Sequence, residues 1–279
     1  MPRIFDFGGR EVERSQTVAG LRALKGGERR AAQVTAETAD ESAAAESAGV
    51  EMVVCRAANV ARVREGSRRV FVTAALGFAE AITGDEVLRS AFGVVTAGAD
   101  AVITGRGHDI VAMLANEQIP VMSHLGFVPR KSTWVGGVRA FGKTSAEALT
   151  LWDHFRRLED AGAFAVECEL IPAAVMAEIN RRTSLVTVSL GSGADADVIF
   201  LFTSDICGES ARQPRHARVW GDLAKLQKAV RAARTKALAA FRSDVASGAF
   251  PSEAHVAAIP EAELREFRAR LEAGSPRKA

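Results

Sequence analysis

The chain has no tyrosine and only three tryptophans and 14 phenylalanines, so flat rings for stacking nucleic-acid bases are scarce. Its charges nearly cancel: 36 Lys and Arg against 34 Asp and Glu leave a formal net charge of +2. That balance gives no electrostatic basis for a nucleic-acid or membrane surface. Cysteine is rare as well. Cys55, Cys168 and Cys207 lack metal-ligand spacing and fit a reducing compartment better than a disulfide framework. No apolar run approaches the roughly 18 residues of a membrane span. The opening "MPRIFDFGGREVERS" is too polar and acidic for a secretion signal. A soluble cytoplasmic protein is expected.

What is present suits a sizeable core: 48% of the 279 residues are hydrophobic and 25% charged. Eight short apolar runs recur: "AAQVTA" (31–36), "EMVVC" (51–55), "RVFVTAAL" (69–76), "DAVIT" (100–104), "IPVMSHLG" (119–126), "AFAVECEL" (163–170), "SLVTVSLG" (184–191) and "DVIFLF" (197–202). Most lack period-2 alternation, as parallel strands buried on both faces do. Helical patterns lie between them. Residues 38–49 open on Thr38 and Asp40 as N-caps and close on Gly49. Residues 83–99 carry Val87, Leu88, Ala91, Val94 and Val95 at helical spacing. Residues 144–163 begin with Ser145 at a capping position, and 172–183 with Pro172 in the first turn. The basic gap 56–68 is the weakest crossover.

Strands alternating with helices predict a (β/α)8 TIM barrel, with a doubly wound open sheet as the competing arrangement. The chain reads as a single barrel domain, 1–279: an N-terminal plug helix at 17–30, the barrel at 31–203 and a helical extension at 217–272. Within the extension, the stretch from Arg218 to Ser247 reads as one long amphipathic helix that packs on the barrel or on a neighbouring subunit. The polar tail "EAGSPRKA" is expected to fray.

Barrel chemistry collects at the C-terminal strand ends, here Ala36, Cys55, Ala75, Thr104, His124, Glu169, Gly191 and Thr203. Of these, His124 and Glu169 carry strong acid–base groups. A carboxylate ending an apolar strand needs partners or a raised pKa, which is also what a general base needs. The alternative for Glu169 is an ion pair, and for His124 a satisfied core histidine. The turn "GSGADAD" (191–197) offers Ser192 and Gly193 as backbone donors to an anion. Glu167 is read as facing outward, and Cys168 as a small core residue. Cys55 ends a strand without an evident partner. The basic clusters "GGERR" (26–30) and "REGSRR" (64–69) are read as solvated loops.

From about residue 17 to about 255 the chain resembles the ketopantoate hydroxymethyltransferases, within the phosphoenolpyruvate mutase/isocitrate lyase superfamily. The residues that carry the resemblance are "LRALKGGERR", "SAGVEMVV", "AGADAVITG", "IPVMSHLGFVPRKSTWVGGVRAFGKT", "LEDAGAFAVECELIP", "TVSLGSGADAD" and "WGDLAKLQKAV…SGAFPSEAH". The resemblance implies a barrel enzyme that deprotonates an α-keto acid beside magnesium and adds a one-carbon unit from methylenetetrahydrofolate. It also implies a homo-oligomer, of the decameric kind. Glu169 falls on that family's general base and His124 on its active-site histidine.

Other positions depart from the pattern. Arg56-Ala57-Ala58 stand where the family has Gly-Asp-Ser, Ala75 stands where it has a second metal-binding Asp, and Ile103 and Gly105 stand where it has Lys and Glu. Magnesium is held by oxygen ligands, so no cage is left at those positions and no metal is expected there. Arg56 and Arg106 are the candidates to replace it, since a guanidinium clamps a carboxylate and stabilises an enolate. Three readings stay open: a carbon–carbon bond-forming or bond-breaking enzyme acting on an α-keto acid without the usual magnesium site, a true 3-methyl-2-oxobutanoate hydroxymethyltransferase with a rearranged metal site, and a non-catalytic binding or assembly subunit.

Overall fold

The computed structural model describes residues 3–274. Eight parallel strands close a barrel: β1 (Ala31–Thr35), β2 (Met52–Arg56), β3 (Phe71–Ala75), β4 (Ala101–Thr104), β5 (Val121–Gly126), β6 (Ala165–Glu169), β7 (Val186–Leu190) and β8 (Val198–Leu201). Each pairs with the next, and β8 returns to β1 with Ala31 opposite Val198. Closure excludes the open doubly wound sheet. Alternation sorts each strand into two faces. Met52, Phe71, Met122, Ala165, Val188 and Phe200 fill the barrel, while Val53, Val72, Val102, Val121 and Val166 pack outward with the helices. Both faces are therefore apolar, which is why the runs show no clean alternation.

The helices start where their caps dictate. Thr38 accepts from the Glu41 N–H while the Glu41 side chain reaches back, a reciprocal box that opens Ala39–Ser47. Thr83 and Glu86 repeat it for Gly84–Thr96. The cap of Ser145–Asp160 is Thr144, one residue before the expected Ser145; its extended backbone aims the hydroxyl at the Glu147 N–H. Pro172 is itself the cap of Ala173–Asn180, directly before the first turn. The weak crossover after β2 is a 3-10 turn followed by Val60–Gly66. Between β4 and β5 lies His108–Asn116, a helix that the sequence reading does not name.

The N-terminal face is closed by a plug shorter than 17–30. Its helix spans Val18–Arg22, and Leu21 and Leu24 join the cluster inside the barrel. Lys25 then reaches Asp197 at 2.8 Å, just ahead of β8. Arg64 and Arg14 both bond Asp100, just ahead of β4, so Arg64 is a largely buried ion-pair member rather than part of a solvated loop.

The contacts divide the chain into two compact units, Met1–Gly221 and Asp222–Ala279. Among the described residues the second unit has α-helices at Leu223–Ser247 and Glu261–Gly274; the first ends at Ser247 as expected and starts at Leu223 rather than Arg218. Gly248, in the left-handed region with φ +77°, stops the first of them. Most of the expected frayed tail lies outside the described residues. Among those residues, no helix is long and apolar enough to cross a membrane.

Candidate active site

Strands β5 and β6 bring the chemistry together. Their register sets His124 opposite Glu167 and Gly126 opposite Glu169. Residues two apart on a strand share a face, so Glu167 and Glu169 both point toward the imidazole. His124 Nε2 lies 3.1 Å from Glu169 Oε2 and 3.7 Å from Glu167 Oε1. The outward placement of Glu167 is thus corrected: its side chain is 9% exposed and lines the barrel mouth. Gly126 makes this corner. Its φ is +88°, and a Cβ there would meet the Glu169 carbonyl oxygen at 2.1 Å.

The charges perturb one another. Burial pulls the His124 imidazole down, but Glu169 and Glu167 outweigh it and leave it above the ordinary histidine value. Burial pushes the Glu167 carboxyl up, and the Glu169 charge adds to that, against the pull of His124. Nε2 of His124 is buried and has no well-aligned hydrogen-bond partner, because Glu169 lies off its donor axis. Among the described residues, His124, Glu167 and Glu169 are the group whose ligating atoms, all within 4.8 Å of one another, suit a metal ion.

Two cavities meet at Gly105 and His124. The barrel mouth, about 240 Å³, is lined by Thr35, Glu37, Arg56, Thr104, His124 and Glu167 among others. The second, about 600 Å³, is bordered by Arg106, Arg130, Lys131, Trp134 and Arg139. Arg56 stands at the rim of the mouth with its side chain 81% exposed, 3.8 Å from Glu37. Glu37 itself accepts from Asn59 and from the Arg56 backbone N–H, and the sequence reading passes over it.

Three expected site residues are placed elsewhere. The Arg106 guanidinium is taken up by the carbonyls of Phe78, Ala81 and Ile82, so it braces a loop and is absent from the mouth. Ser192 is fully buried; its hydroxyl donates to the Cys168 carbonyl at 2.6 Å and accepts from the Ile171 N–H. Gly193 borders a different cavity, with His216 and Arg215. The "GSGADAD" turn therefore knits β6 to β7. Cys168 is a buried core residue, and burial pushes the Cys55 thiol up to about 12, too high for a nucleophile at neutral pH.

A family model for ketopantoate hydroxymethyltransferase matches residues 36–253. The chain belongs to that family. The 3-methyl-2-oxobutanoate hydroxymethyltransferase of Pyrobaculum islandicum is 33% identical over 197 residues, covering 69% of this chain and 73% of that protein. Its counterpart in Thermobifida fusca is 36% identical over 200 residues, covering 70% and 69%. The carboxyl transferase domain of Rhizobium etli pyruvate carboxylase superposes with a TM-score of 0.53 at 11% identity, covering 74% of this chain and 47% of that one. This last likeness is one of fold alone.

Ala75 and Ile103 present apolar surface to the cavity, and the Arg56 side chain is a cation. The carboxylates on this cavity are those of Glu37 and Glu167.

Proposed function

We propose that the barrel mouth removes a proton from the carbon beside the carbonyl of a small α-keto acid and makes or breaks a carbon–carbon bond there. Glu169 is the base. The observation that carries this reading is the largely buried Glu169 carboxylate, 3.1 Å from His124 at the C-terminal end of the barrel. Family membership supports hydroxymethyl transfer as the reaction.

In this mechanism the C–H bond breaks and its proton passes to the Glu169 carboxylate. The electron pair moves into an enolate, whose carbon attacks the methylene carbon of the one-carbon donor; water then replaces the donor nitrogen, so the C–N bond breaks, the hydroxyl goes to carbon and the proton to the departing nitrogen. His124 lies beside the Glu169 carboxylate, its Nε2 at 3.1 Å. Arg56, exposed at the rim, receives the substrate carboxylate in a two-pronged contact. The larger cavity, with Arg130, Lys131 and Arg139 on its walls, is the place for the donor of the one-carbon unit; methylenetetrahydrofolate is the donor that the resemblance implies. No step passes through a metal at the family's positions.

Deuterium exchange tests this. Wild-type protein in D2O should exchange the α proton of 2-oxoisovalerate, read by proton NMR, and Glu169→Gln should slow that exchange by about 10²–10⁴-fold. If wild-type protein exchanges none of a panel of α-keto acids, the non-catalytic reading takes its place.

A further inference from the structure

We propose that His124 Nε2 and the Glu167 carboxylate are the fixed ligands of a divalent-cation site in the barrel mouth, with Glu169 closing the third side when no substrate is bound. The site lies on β5 and β6, away from the positions on β2, β3 and β4 where the family's pattern places its metal-site residues. A cation about 2.1 Å from each ligand sets neighbouring ligand atoms roughly 3 to 3.5 Å apart. The two distances from Nε2 are 3.1 and 3.7 Å, and all three atoms fall within 4.8 Å.

Satisfaction of polar groups is the independent observation. A buried carboxylate normally gathers N–H or O–H donors. Among the described residues Glu167 accepts no hydrogen bond; its polar neighbours are the imidazole at 3.7 Å and the Glu169 carboxylate. Nε2 of His124 likewise lacks an aligned partner. The guanidinium of Arg56, on the same cavity, faces Glu37 and is largely in solvent. Two carboxylates and one imidazole therefore converge with no lysine or arginine between them. A dication satisfies all three at once, and His124 and Glu167 both open to the cavity through which it would enter. The nitrogen ligand selects the class. Imidazole with carboxylates suits Mn²⁺, Fe²⁺, Co²⁺ or Zn²⁺, whereas Mg²⁺ prefers oxygen throughout.

The role of Glu169 here rests on the proposed function; the site itself does not. An α-keto acid carries two adjacent oxygens that compete with Glu169 for the cation. Its arrival leaves that carboxylate free to act as base. The ion would supply positive charge beside the developing enolate.

The test uses chelator-stripped full-length protein titrated with Mn²⁺ alone, followed by EPR. One ion should bind per chain, with nitrogen-14 modulation from an imidazole in the pulsed spectrum. Glu167→Gln and His124→Gln should each weaken binding by at least about 10-fold. Absence of stoichiometric Mn²⁺, a spectrum with no imidazole nitrogen, or binding unchanged in both variants overturns the site. Should either variant fail to fold, the wild-type spectrum decides. Exchange of 2-oxoisovalerate measured with and without EDTA separates the two claims. Bound Mn²⁺ with no exchange keeps the site and removes the proposed function. Exchange undiminished by EDTA, with no ion bound, does the reverse.

Discussion

At the scale of single residues, the site depends on Gly126 as much as on its charged groups. The backbone there is left-handed, and the Glu169 carbonyl sits where a side chain would begin. Gly126→Ala must strain that turn or move β6, at a cost of about 2 kcal/mol or more. For a chain of this size that lowers Tm by about 4–8 °C in a calorimetric scan. Keto-acid exchange should fall further than stability alone accounts for, because Glu169 is displaced. An unchanged Tm would show that the corner tolerates a Cβ. His124 and Glu169 were legible in the sequence as polar residues ending apolar strands. Glu167 is less legible: it sits in mid-strand between Val166 and Cys168, where a charge inside the barrel is not expected. The period of two, applied to 167 and 169, was the signal that finds it.

At the scale of elements, the apolar runs announced all eight strands, because a closed parallel barrel hides both faces of each one. Helix His108–Asn116 was harder to see: it is short, and Gly107 gives it no side-chain cap. The C-terminal break was legible through Gly248 and through Pro251 and Pro260 beyond it, none of which continues a helix. Helix Ser145–Asp160 also carries a pH-dependent tie. Burial raises the Glu159 carboxyl, but the Thr183 hydroxyl and the Ser184 N–H, each at 2.6 Å, outweigh it and hold the group below the ordinary glutamate value. A depressed carboxyl adds stability above its unfolded value, about 4.3, and loses it as pH falls through the folded value. Glu159→Gln should therefore flatten the fall of Tm between about pH 5 and pH 3. An identical pH profile in the variant would remove this tie from the account.

At the scale of the whole molecule, the barrel separates stability from chemistry. The N-terminal face holds Asp100 between Arg14 and Arg64, all three largely buried. Asp100→Asn leaves two guanidiniums without their charge partner and should cost about 3–5 kcal/mol in denaturant unfolding, with the fold-change in Mn²⁺ affinity close to one. A variant as stable as wild type would show those ion pairs to be dispensable. In the second unit, Leu223, Leu226, Val230, Leu238, Phe241 and Val245 are exposed along one helix. We carry forward the homo-oligomer that the resemblance implies as a proposal. Light scattering should give a mass several times that of the 29.6 kDa chain, and a monomer would refute it.

The measurement that bears most directly on the central claim is a crystal structure of the protein soaked with 2-oxoisovalerate. The account predicts the keto acid in the barrel mouth, its reacting carbon about 3.5 Å from a Glu169 oxygen and its carboxylate turned toward Arg56. A ligand bound elsewhere, or a Glu169 side chain directed away from the reacting carbon, would contradict it.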